Sequence, residues 1–125
     1  MNQCVVWMDR TEARIFELRD GAYERLILEA PKHHVRRLSK EEQIRSHNHP
    51  NDEQRFFREL VAALREQGEI LLVGPSTTKL RFFRFARDHE KNIEARVVGL
   101  ETADHPTDGQ IVAHARRYFA SSSPN

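Results

Sequence analysis

Between Pro31 and Pro50 the chain gathers Lys32, His33, His34, Arg36, Arg37, Lys40, Arg45, His47 and His49, with only Glu41 and Glu42 as acids. Cations at this density can track an irregular phosphate backbone and release its counterions. Arg36-Arg37 with Lys32, Lys40 and Arg45 therefore point to RNA contact. His33 and His34 add hydrogen-bond donors and gain charge below about pH 6.5. The same histidines, with His47 and His49, raise the question of metal binding. They have no cysteine partner and fit no standard structural spacing, so no metal is expected. The plainer alternative is a solvated basic loop without a partner.

A second feature is Gly74-Pro75-Ser76-Thr77-Thr78-Lys79, a glycine turn before a hydroxyl-rich helix start. Free backbone N–H groups there, with Ser76, Thr77 and Lys79, can hold a phosphate. The Gly-Lys-Ser/Thr ending of a nucleotide loop is missing. Ser76 as a simple helix cap is the more economical reading. Asp9, Glu101 and Asp104 follow apolar runs and could serve a two-metal nuclease, but Ile70 to Val73 contributes no carboxylate. Turn and cap roles account for all three. Arg81, Arg84 and Arg87 offer a second basic strip, which a solvated helix face explains equally well. Cys4 lies inside an apolar run and no serine sits in a nucleophile elbow, so no catalytic residue and no cofactor is assigned.

The elements that must position these groups can be read from the apolar pattern. Cys4 to Met8 is strand-like, and in Ala13 to Leu18 one face carries Ala13 and Ile15 while the other carries Phe16 and Leu18. Asp20-Gly21 marks a tight turn into a third strand, Tyr23 to Glu29. After the basic loop a helix carries Phe56, Phe57, Leu60, Val61 and Leu64 on one face. Ile70 to Val73 is a buried-strand pattern. A helix with Leu80, Phe83 and Ala86 on its apolar face follows, then a strand from Ala95 to Leu100. Thr107-Asp108-Gly109-Gln110 reads as a capping box opening the last helix, with Ile111, Val112, Ala115 and Phe119 inward. A glycine in that first turn suggests close packing at Gly109. The order β-β-β, loop, α-β-α-β-α predicts an α/β fold with a mixed sheet and helices packed on it.

At 125 residues and a formal net charge of +1, the chain suits one domain, over residues 1–120, with a frayed tail at 121–125. Global basicity does not announce a nucleic-acid partner. No apolar run approaches the roughly 20 residues of a membrane helix, and no secretory signal is seen. A lone cysteine favours the reducing cytoplasm. Oligomeric state cannot be read from these patterns.

The element order resembles the middle domain of the archaeo-eukaryotic release factor and Pelota proteins, an RNase H-like fold. The residues carrying it are Val5 to Glu29, the loop Lys32 to Pro50, Leu71-Leu72-Val73-Gly74-Pro75-Ser76 with Lys79-Leu80, and Val97-Val98-Gly99. The stretch from Val98 to Gln110 is similar to stand-alone bacterial proteins of translational-machinery type. The resemblance implies a ribosome or tRNA partner met through Lys32, His33, His34, Arg36, Arg37, Lys40 and Arg45. In the release factors the loop carries Gly-Gly-Gln, whose glutamine positions water against the peptidyl-tRNA ester. Here the loop has only Gln43, preceded by Glu41-Glu42, and Asp108-Gly109-Gln110 falls at a helix start. Binding without ester hydrolysis is therefore expected. The alternatives are a peptidyl-tRNA hydrolase with a diverged loop, a metal-dependent nuclease, and a protein-interaction domain.

Overall fold

Residues 2–31 and 50–122 are described by a computed structural model. Three strands open the chain: β1 (Gln3–Met8), β2 (Glu12–Arg19) and β3 (Ala22–Glu29). Gly21, at φ 70°, takes the left-handed conformation that the β2–β3 turn demands. Helix α1 (Pro50–Leu64) follows, then β4 (Ile70–Gly74), α2 (Thr78–His89), the short α3 (Lys91–Glu94), β5 (Val97–Thr102) and α4 (Asp108–Ser122). The last strand thus starts two residues later than the apolar pattern suggests, because Lys91–Glu94 takes a helical turn before it. Helix α4 runs through Ser121 and Ser122, so the serine run begins inside the helix.

The five strands form one mixed sheet in the order β3-β2-β1-β4-β5. β1 pairs antiparallel with β2 and parallel with β4, so Val5 lies between Phe16 and Leu71. β4 and β5 are also parallel. Helices cover both faces of the central strands, which is why β1 and β4 read as unbroken apolar runs. On one face Cys4, Val6, Met8, Ala13, Ile15, Ile70 and Leu72 meet Phe56, Phe57, Leu60, Val61 and Leu64 of α1 and Phe82 and Ala86 of α2. On the other, Val5, Trp7, Phe16, Leu18, Leu71 and Val73 meet Ile111, Val112, Ala115 and Phe119 of α4. Val5 to Met8 and Leu71 to Val73 lie in the interior of one sheet, as the sequence predicts.

Helix α2 departs from the expectation. Its buried residues are Thr78, Lys79, Phe82 and Ala86, whereas Leu80 is exposed and Phe83 only half-buried. Residues 78, 82 and 86 recur every four positions and form the stripe that faces the sheet. Helix α1 has no basic residue in its last turn, and Arg96 supplies one from a distance, donating to the carbonyls of Leu64 (3.4 Å) and Arg65 (2.8 Å). Burial pushes the Cys4 thiol up to about 12, with Glu17 adding to the shift, so Cys4 is an unreactive core residue.

Candidate functional site at the carboxyl ends of the parallel strands

β1, β4 and β5 run parallel and end at the same edge, which brings Asp9, Gly74-Pro75 and the turn around His105 together. The chain leaves β1 toward β2 and returns on its other side as β4. A crevice at such a divergence is the usual ligand position in α/β sheets. A cleft of about 560 Å³ lies there, lined by Asp9, Arg10, Thr11, Pro75, Ser76, Thr77, Arg81 and His105.

Each lining group is fixed by its neighbours. Asp9 Oδ1 accepts from the Thr11 N–H (2.8 Å), the Thr11 hydroxyl (2.9 Å) and the Glu12 N–H (3.0 Å), closing the turn after β1. Burial works against the charge, but these hydrogen bonds and nearby His105 outweigh it and hold the Asp9 carboxyl below its usual range. His105 stands between two acids, with Nδ1 2.9 Å from Asp104 and Nε2 3.8 Å from Asp9. Its ring lies 5.2 Å from that of Trp7, whose indole N–H donates to the Asp104 carbonyl at 3.1 Å. The Arg14 guanidinium covers Trp7 at 4.8 Å while bonding Glu12 (2.7 Å) and Asp108 (3.2 Å).

The β4–α2 turn contributes Ser76 and Thr77 to the cleft, but not as caps. Thr77 occupies the cap position in helical conformation with no side-chain capping bond. Its hydroxyl accepts from Arg81 Nη1 at 2.7 Å, and Arg81 Nε reaches Glu53 at 2.9 Å. Lys79 is buried and donates to the carbonyls of Gly74 (3.0 Å) and Ser76 (2.7 Å). That burial pulls its ammonium below the usual lysine range. Lys79 therefore fixes the turn from within, while Arg10, Arg81 and His105 line the cleft together with Asp9 among the described residues. Arg84 and Arg87 are exposed on α2, and Arg87 pairs with Asp88 at 3.0 Å.

The three acids weighed for nuclease chemistry occupy different settings. Asp9 closes its own turn, Asp104 is exposed beside His105, and Glu101 is bonded to His114 Nε2. Among the described residues no three His, Cys, Asp or Glu side chains converge as metal ligands would.

The expected basic site, Lys32, His33, His34, Arg36, Arg37, Lys40 and Arg45 with Gln43, lies outside the described residues. What flanks it is clear. Glu29 ends β3 opposite Glu12, at the edge where β1 ends, and the Ala30 N–H donates to the Thr11 carbonyl at 2.8 Å. Arg10 lines both the cleft and an adjoining depression that includes Pro31 and Asp52. The chain thus departs toward Lys32 and re-enters α1 beside the cleft.

The capping box at α4 forms as the sequence implies. Thr107 N–H donates to Gln110 Oε1 (2.9 Å), and Gln110 N–H donates to Thr107 Oγ1 (3.2 Å). Gly109, expected to be closely packed, instead has open space: an added Cβ would meet nothing within 4 Å. Asp108 ties α4 to the sheet through Arg14 and Arg25.

No protein-family model and no curated protein matches the chain. Solved structures do. Pelota from Archaeoglobus fulgidus superposes with a TM-score of 0.63 at 12% identity, over 93% of this chain and 31% of that one. The fold is Pelota-like. Thermoplasma acidophilum Pelota gives 0.61 at 21% identity over 98% of this chain, and the archaeal translation termination factor aRF1 gives 0.61 at 16% over 93%. These matches cover 33% and 34% of the two larger proteins, so the chain spans about a third of the length of each relative. The Pelota-like fold accounts for the mixed sheet and its helices, and it leaves the cleft chemistry to be argued from this chain's own residues.

Proposed function

We propose that this chain is a translation-associated module that binds the ribosome or tRNA without hydrolysing an ester. The observation that carries the reading is the likeness of nearly the whole chain to Pelota and to an archaeal translation termination factor. The basic residues Lys32, His33, His34, Arg36, Arg37, Lys40 and Arg45 supply the RNA contacts, and the chain enters and leaves that segment beside the cleft. Ser76 and Thr77, with Lys79 beneath them, add an anion-binding position for a neighbouring phosphate. No cofactor or metal is needed for this role, and the protein works in the cytoplasm. No helix among the described residues is long and apolar enough to cross a membrane.

A paired substitution tests the reading. Arg36→Ala with Arg37→Ala is expected to weaken ribosome or tRNA binding and to flatten its salt dependence by roughly one log–log unit per lost phosphate contact. Thermal stability should change by less than about half a kcal/mol. Gln43→Ala should leave binding intact. Peptidyl-tRNA hydrolysis lost with Gln43 would make the protein an enzyme instead, and melting of the double arginine variant would assign those residues a structural role.

A further inference from the structure

Among the described residues two strands, β3 and β5, close the sheet, and their outer edges differ. At β5 the register with β4 shifts between Ile70 and Leu71, and the Tyr118 hydroxyl donates to the Val98 carbonyl at 2.8 Å. Both features blunt that edge. β3 has eight residues in unbroken register with β2, and the Arg116 guanidinium donates to the carbonyl of its first residue, Ala22, at 2.7 Å, leaving the stretch from Tyr23 to Glu29 regular. Among the described residues, five large apolar side chains are notably exposed, and three of them, Tyr23 (41%), Leu26 (50%) and Ile27 (40%), lie on β3. A long, regular edge strand carrying apolar side chains is a template for another strand.

The direction of its free backbone groups follows from one hydrogen bond. Ala30 N–H points inward to Thr11. By strand alternation Leu28, Leu26 and Glu24 also face β2, and the N–H and C=O groups of Tyr23, Arg25, Ile27 and Glu29 point outward. An antiparallel partner strand that continues the sheet about a twofold axis must oppose these outward groups to one another, which leaves few registers. Centred on Arg25, the pairing sets like charges face to face. Centred on Leu26, it sets Arg25 against Ile27 and Glu24 against Leu28. Centred on Ile27, it sets Ile27 against itself, Leu26 against Leu28, and Arg25 against Glu29 on both sides of the axis. Of the three, that last register alone sets Ile27, Leu26 and Leu28 against apolar partners and Arg25 against Glu29, with Glu24 opposite Ala30.

We propose that β3 is a self-association edge, with a second copy of this chain pairing antiparallel about Ile27 to give one continuous sheet. About six backbone hydrogen bonds form across the axis, from Ile27 and from the Arg25 and Glu29 pairs. Arg25 already bonds Asp108 of its own chain, and its exposed side chain takes the partner's carboxylate as a second acceptor. The proposal stands apart from the ribosome reading, since it uses only β3.

Sedimentation velocity of the full chain between about 1 and 200 µM tests it, a range suited to weak, modest interfaces. The wild type should pass from 14.7 kDa to twice that mass as concentration rises. Ile27→Lys, which places two ammonium groups on the axis, should leave a monomer throughout, with an unchanged circular-dichroism spectrum. Glu29→Arg, opposing Arg25, should raise the dissociation constant about tenfold or more, and the neutral Glu29→Gln, which leaves the Arg25–Asp108 pair intact, should raise it less. If Ile27→Lys fails to fold, the two Glu29 variants decide. A wild type that stays monomeric, or a dimer indifferent to both substitutions, overturns the proposal.

Discussion

Gly74→Ala is expected to destabilise the protein by about 3 kcal/mol, near the upper end of overpacking penalties. A Cβ at position 74 would lie 2.2 Å from the Met8 carbonyl oxygen, which is main chain in the neighbouring strand and cannot swing aside. The damage would spread into the cleft. The Gly74 carbonyl accepts from Lys79 Nζ at 3.0 Å and from the Ala103 N–H at 3.1 Å, so it pins both the β4–α2 turn and the segment after β5. Urea denaturation should show a lower midpoint with little change in slope. Gly109→Ala is the matched control. With free space around it and a helical position, it should be neutral or stabilise by up to about 1 kcal/mol. Equal effects from the two alanines would show that backbone approach at β1–β4 is not what demands Gly74.

Trp7→Ala should remove about 3–5 kcal/mol, the range for truncating a large core aromatic. Trp7 is 1% exposed and packs with Val73 and α4 residues, yet its far end reaches the cleft through Asp104 and the His105 ring. Trp7→Phe separates the two contributions. It keeps most of the packing but removes the indole hydrogen bond to the Asp104 carbonyl, and should cost about 1–2 kcal/mol. Circular dichroism is the suitable probe, since Trp7 is the protein's single tryptophan and fluorescence is lost with it. A Trp7→Ala variant as stable as the wild type would deny that the indole joins the second core to the cleft.

The β1 and β4 runs were legible because strands buried on both faces have no polar positions, and β2 because each of its faces carries its own apolar pair, Ala13 with Ile15 and Phe16 with Leu18. The Thr107–Gln110 capping box was legible because its chemistry is local. Helix α2 was not. Phe82, Phe83 and Phe85 crowd one turn, so apolarity alone does not choose a face, and contact with the sheet selects Phe82. The bonds from Lys79 to the carbonyls of Gly74 and Ser76 were not legible either, because spacing alone does not show which turn carbonyls lie within reach of its ammonium. The cleft residues Asp9, Arg10, Arg81 and His105 are far apart in the chain, and only the parallel pairing of β1, β4 and β5 assembles them. The nearest signal was Asp9-Arg10-Thr11 directly after an apolar run, a turn acid at a strand's carboxyl end.

Ribosome co-sedimentation across a salt series tests the binding role most directly. Wild-type protein should pellet with ribosomes at low salt and be released steeply as salt rises, with log affinity falling by roughly 0.7 to 0.9 units per log unit of salt for each phosphate contact. Protein that stays in the supernatant at the lowest salt, or that pellets to the same extent at every salt concentration, would contradict an RNA-phosphate mode of binding.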